Sequence, residues 1–304
     1  NTLGGTCTGP NDGVVTAAGG SQSAYGEGGG GGRIAVIYSN LSMPAPTVRF
    51  STAGGMWSSS ATYVSDVGTL YFPDARLLTV SDIVSHSGQL VIPGFTNWTP
   101  NRVTFNHAWI RFQPDGFRLD VANDVVIAGR NARLDLGGNS RLFKTSGAWF
   151  TYSDSNGPAL TCSALTLTNG GCLYVYSGVT NALTPDRGAL VDVAGDVAVG
   201  TNCRIYAVSH PINGGSALFR MANLAVLENG GINADGAGYI TGLVRPAPGY
   251  GPGAAFGPAA GTYGGSGYGN AAATYGFHEG PLAPGSAGYN GSAYIPRPGG
   301  NGGG

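Results

Sequence analysis

The chain has 304 residues, 55 of them Gly and 18 Pro, with only 10% charged and a formal net charge of −1. That balance leaves no basic face for nucleic acid or for an anionic membrane surface. No apolar run approaches the roughly 18 residues of a spanning helix, so membrane insertion is not expected either.

Residues 1–32 are a glycine-rich N-terminal segment closing in Gly26-Glu27-Gly28-Gly29-Gly30-Gly31-Gly32, followed by Arg33-Ile34-Ala35-Val36-Ile37-Tyr38. Gly26, Gly28 and Gly31 carry the letters of a dinucleotide fingerprint. Such a loop must follow a strand and open a helix whose N-terminus receives the pyrophosphate. Here the glycines precede a strand-like run, so the order is reversed and no nucleotide or other cofactor is expected. The glycines instead suit close approach of one backbone to another. The chain starts at Asn1 and ends inside a glycine tract. It therefore reads as one module of a longer tandem protein.

Residues 33–234 carry a degenerate repeat. Leu119–Ala128 reads LDVANDVVIA, Val191–Gly200 reads VDVAGDVAVG and Phe219–Leu227 reads FRMANLAVL, with weaker copies at 159–168 and 77–85. After four of these five copies, all but that at 77–85, an apolar-x-apolar pair meets a Gly/Asn turn and then a second pair. Val125-x-Ile127 leads to Leu134-x-Leu136, and Leu165-x-Leu167 leads to Leu173-x-Val175. Period-two alternation bounded by Gly and Asn signals short half-buried strands. Recurrence every 25–40 residues or so is the scale of one solenoid turn. The expected fold is all-β: a parallel, right-handed β-helix (β-solenoid) over 33–234. An antiparallel β-sandwich is the alternative. Ala122, Ala194 and Ala222 recur where a tight corner is expected.

Candidate chemistry along this body is sparse. Trp98, in the proline-bounded loop at 93–100, is placed for stacking on a glycan. Trp109 and Trp149 read as packing residues, and His107 as an exposed sheet residue. Asp120/Asp124 and Asp192/Asp196 fall at equivalent repeat positions, which a structural role covers. A glycosidase would need two carboxylates facing each other about 5–10 Å apart, and a calcium site several gathered on one cation. His86, His107, His210 and His278 are scattered without metal-ligand spacing. No catalytic or metal-binding residue is therefore assigned. Cys172 and Cys203 both just precede the second strand of successive units. Neighbouring strands lie about 4.8 Å apart, so a disulfide between them is expected, with Cys7 and Cys162 as the remaining pair. An even cysteine count in a chain with a single lysine, Lys144, fits an oxidising, extracellular setting.

Residues 235–304 form a glycine/tyrosine-rich C-terminal segment. Glycines at 261, 264 and 267 and again at 285, 288 and 291 give the period of polyproline-II-like chains packed too closely for side chains. This segment is expected to pack on the body or on a neighbouring subunit, with Tyr289 and Tyr294 as further glycan contacts.

The order of glycine tract, GRIAVIY (32–38), TVRFSTAGG (47–55), VGTLYF (67–72), β-repeats, and INADGAGY (232–239) opening a new tract resembles the large repetitive, glycine-rich surface proteins of planctomycetes and verrucomicrobia. The resemblance implies a secreted or cell-surface location, a β-helical body and an adhesive or structural role. It supplies no catalytic residues. The expected function is thus a non-enzymatic structural or adhesive module, self-associating into a filament or tandem array, with neighbouring copies and surface glycans as partners. A polysaccharide lyase or hydrolase and a glycan-binding module are the alternatives.

Overall fold

The computed structural model describes residues 13–21, 28–41, 48–55, 65–79, 81–143, 149–181, 186–243, 247–255, 259–267, 269, 274–276 and 283–289. It is all-β, with one four-residue helix among the described residues, Arg76–Thr79. Among these residues four sheets are entirely parallel: three of eight, six and five strands, and a two-stranded one of Val14–Thr16 with Arg49–Ser51.

The chain visits the three larger sheets in rotation. Arg118–Asp120 lies in the five-stranded sheet, Asp124–Ala128 in the six-stranded sheet and Arg133–Leu136 in the eight-stranded sheet. The next circuit lays Ala159–Cys162, Ala164–Thr168 and Cys172–Tyr176 alongside them, each in parallel register. Ala189–Val193, Asp196–Val199 and Arg204–Val208 follow, then Ala217–Arg220, Asn223–Val226 and Gly231–Asn233. The antiparallel sandwich does not describe these ladders. The antiparallel pairing found is a local insertion, Ser140–Phe143 with Trp149–Tyr152.

The alternation seen in the sequence sets which residues stack. Leu119, Leu160, Val191 and Phe219 share one column, and Val125, Leu165, Val197 and Leu224 another. Apart from the last member of each, these side chains are buried in one continuous core. Burying each contributes about 1.5–3 kcal/mol. A column of like aliphatics wastes no volume because each residue meets a near copy of itself.

The corners have their own rules. Between the six- and eight-stranded sheets the chain reverses at His107, Asn131, Asn169, Asn202 and Asn229, all with positive φ of 52–68°. Asn tolerates this left-handed geometry better than other residues with a Cβ. The repeated alanines lie at the corner between the five- and six-stranded sheets, but there they are exposed rather than squeezed. Their backbone N–H groups donate to the preceding circuit, as Ala194 does to Cys162. The weak copy at 77–85 also departs from expectation. Its first half is the Arg76–Thr79 turn, whose Leu77 and Leu78 enter the core, and only Ile83–Val84 is a strand.

The glycine tracts are built by backbone-to-backbone contact. Gly31 donates to the Asp66 carbonyl, and a Cβ at Gly31 would lie 1.9 Å from the Thr52 carbonyl oxygen. In the C-terminal segment a Cβ at Gly261 would lie 2.3 Å from the Ser286 carbonyl oxygen. No substituent fits at either place, which is why the residue is glycine. Among the described residues no helix is long and apolar enough to cross a membrane.

Candidate functional site

The densest set of polar and aromatic groups lies on the outer face of the eight-stranded sheet. Inward Ile110, Leu134, Leu173 and Ile205 alternate with outward residues, so one outward column runs Arg33, Thr69, Gln89, Arg111, Asp135, Tyr174, Tyr206 and Asn233. A second column, two residues earlier, holds Trp109, Arg133, Cys172 and Arg204.

Asp135 is the centre of this face and is fully buried. Its Oδ2 accepts from Trp109 Nε1 at 3.0 Å, from Arg111 Nη2 at 2.8 Å and Nε at 3.1 Å, and from Arg133 Nη2 at 3.1 Å. Its Oδ1 accepts from Arg133 Nε. Burial alone would raise the carboxyl, but the adjoining Arg133 and Arg111 outweigh it and hold the pKa below the ordinary value. Arg111 also forks onto Asp66 with bonds of 3.0 and 2.9 Å, and Asp66 pairs with Arg141. The Arg133 guanidinium lies over the Trp109 ring at 4.2 Å and the Tyr174 ring at 3.6 Å, and its Nη2 donates to the Tyr176 hydroxyl at 3.0 Å. Tyr206 stacks on Tyr174 at 4.2 Å. Burial raises the pKa of both Tyr174 and Tyr176, keeping their phenols protonated.

This chemistry binds the protein to itself. A general acid needs a raised carboxyl pKa and a path to substrate; Asp135 has a lowered one and no solvent access. Its lone pairs are taken by three side chains, and removing any of them would strand a buried charge.

The residues singled out in the sequence lie elsewhere. Trp98 is not a surface platform: it is 7% exposed and pairs, in the Asn97–Trp98 strand, with Arg118–Leu119. Its ring packs on Phe95 and Phe112 at 6.4 and 6.3 Å. Tyr289 is half-buried, its N–H donating to the Ala259 carbonyl, and Tyr294 lies outside the described residues. Of the repeat aspartates, Asp120 accepts from Thr161 at 2.7 Å and approaches Arg118. Asp192 approaches Arg220, and Asp196 accepts from Asn223 at 2.7 Å. Arg118 aside, these contacts run between neighbouring circuits along the five- and six-stranded sheets, and among the described residues no three His, Cys, Asp or Glu groups gather as a metal site.

The expected Cys172–Cys203 disulfide is absent. Both are free thiols, because the register pairs Cys172 with Arg204 and leaves Cys203 one residue back, on the inward phase and buried. A one-residue offset turns the two side chains to opposite faces. Cys162 is also a free, buried thiol, and Cys7 lies outside the described residues.

His107 is exposed, at the corner otherwise occupied by asparagine. His86 is buried between Phe50 and Phe72, its Nδ1 accepting the Phe50 N–H at 3.2 Å. Trp109 is buried as a packing residue and also serves as a hydrogen-bond donor, which its sequence context did not reveal.

Compared with protein-family models, with curated proteins and with solved structures, the chain matches none.

Proposed function

We propose that the chain is a right-handed parallel β-solenoid serving as a structural or adhesive module of an extracellular surface protein, without catalytic activity, and joined to neighbouring copies in a filament or tandem array. The observation that carries this reading is the unbroken outward column from Arg33 to Asn233 across eight paired strands. Its potentially reactive members, Arg111 and Asp135, are spent on buried ion pairs. A stack held by in-register backbone ladders and a buried charge cluster is a stiff column, suited to bearing load or displaying a surface. The glycine-rich segments at 1–32 and 235–304 are read as packing layers on that column or on its neighbours. The sequence resemblance to repetitive glycine-rich surface proteins supports the extracellular location.

Two measurements test the reading. An antibody to the chain should label intact source cells or their surroundings; labelling confined to the cell interior would contradict it. Incubation with neutral and acidic polysaccharides should release no reducing ends or unsaturated products. Depolymerisation that is lost in Asp66→Asn, with the thermal midpoint kept, would establish the enzyme instead.

A further inference from the structure

The exposed large apolar side chains are not spread over the surface. Val14, Val15, Ile37, Ile83, Leu224, Val226, Leu227 and Ile232 all lie in, or within two residues of, a strand that ends its sheet; among the described residues Ile212 stands apart. At the C-terminal end the cause is plain. Leu224, Val226 and Ile232 continue the inward columns of Val197, Val199 and Ile205, which are buried because another strand covers them. Among the described residues no further strand follows the last circuit, and Leu224 and Val226 are 46% and Leu227 59% exposed. The described start of the C-terminal glycine segment turns away from it. Tyr239 donates its hydroxyl to the Asn213 carbonyl, and Ile240 its N–H to Pro211, so the segment leaves the last strands beside the 209–215 corner.

The two ends differ in charge. Among the described residues of 13–41 and 48–55 the charged side chains are Arg33 and Arg49, both exposed. In the last circuit and the residues after it, 217–243, they are Arg220, which reaches back toward Asp192 of the preceding circuit, and Glu228 and Asp235, all three exposed. The outward column begins at Arg33 and ends at Asn233, whose side chain donates to Asp235 at 3.0 Å.

We propose that the C-terminal end of the stack docks on the N-terminal end of a second copy of this chain, with residues 233–235 running in parallel against that copy's Arg33–Ala35 strand and Asn233 opposite its Arg33. This continues the register by one step of about 4.8 Å and sets Arg33 of the second copy beside Asn233 and Asp235. It lays that copy's first circuit, with its inward Val15 and Ile34, over Leu224, Val226 and Ile232, and satisfies two sheet edges that are unpaired among the described residues. The contact is head-to-tail and does not close, so it propagates as a line. The proposal deepens the structural-module reading and rests on it for its biological sense; the interface itself is tested separately.

The test uses the full chain and two variants, Arg33→Asp and Val226→Lys, each checked for an unchanged circular dichroism spectrum and thermal midpoint. In sedimentation velocity the wild type should grow in mass with concentration, and electron microscopy should show unbranched lines. Each variant alone should associate at least about tenfold more weakly. An equimolar mixture should form heterodimers and stop, since each variant keeps the one intact end that the other lacks. Arg33→Asp combined with Asp235→Arg should restore growth. A wild-type chain that stays monomeric at about 100 μM, a range that detects weak contacts, would overturn the proposal. So would association that neither variant changes. Either result would leave the cell-surface and polysaccharide measurements standing.

Discussion

Arg133 is held flat between two rings, 4.2 Å from the centre of Trp109 and 3.6 Å from that of Tyr174, while its head group bonds to Asp135. The three residues sit on three consecutive strands of one sheet. The arrangement is a product of register, and it fixes where removal of a single group should hurt most.

Asp135→Ala should destabilise the protein by about 3–5 kcal/mol, because it leaves Arg111 and Arg133 facing each other without their shared carboxylate. Urea unfolding reads this directly. Asp120→Ala, which removes a half-exposed partner of Thr161, should cost less than about 1 kcal/mol. Equal effects for the two would contradict the assignment of Asp135 as the centre of the cluster.

His86 should make stability rise with pH. Burial pushes its pKa from 6.5 to about 4, with the hydrogen bond to Leu77 opposing only in part. The unfolded chain therefore binds the extra proton first. The stabilisation is complete above about pH 6.5, falls as the pH drops toward 4 and amounts to roughly 3 kcal/mol. Protonation would also take away the lone pair that accepts the Phe50 N–H. His86→Gln should flatten the pH dependence between 4 and 6.5, measured by denaturation midpoints across that range. An unchanged slope would exclude His86 as its source.

The corner column offers a gain as well as a loss. Asn169→Val should cost about 1–2 kcal/mol, since a β-branched residue is forced into the left-handed region. His107→Asn should gain about 0.5 kcal/mol by giving this corner the residue used at four later ones. Both can be followed in a single set of thermal scans.

Cys162, Cys172 and Cys203 should all be alkylated in denaturant without prior reduction, and mass spectrometry counts the added groups. A reductant should leave the thermal midpoint unchanged if these three thiols are free as found. A Cys172–Cys203 peptide recovered under non-reducing conditions would contradict the register that separates them.

The ladders were legible because apolar pairs such as Val125-x-Ile127 and Leu134-x-Leu136 alternate cleanly and are punctuated by Asn and Gly. Trp98 was misread for a local reason. Prolines at 93 and 100 look like the bounds of a surface loop, yet two residues between them pair as an edge strand and point the ring inward. The cysteines failed on a single residue of offset, which composition and spacing do not reveal. The charge cluster escaped notice because Asp66, Trp109, Arg133 and Tyr174 are far apart in the chain. Its trace was present in the outward phase, where Arg133 and Asp135 flank Leu134 and Tyr174 and Tyr176 flank Val175. Large aromatics and opposite charges on the solvent side of buried strands signal that this side, too, is covered.

The shared register of the circuits makes the protein's length adjustable. Leu119 aligns with Leu160, and Leu160 with Val191. Excising residues 159–189 would bring Arg118–Asp120 against residues 190–192, which already occupy the same columns. The shortened chain would meet itself on matching surfaces and lose about 4.8 Å of height. Duplicating the same stretch would lengthen it by as much. A column of this kind can be trimmed or extended by whole storeys without redrawing its cross-section.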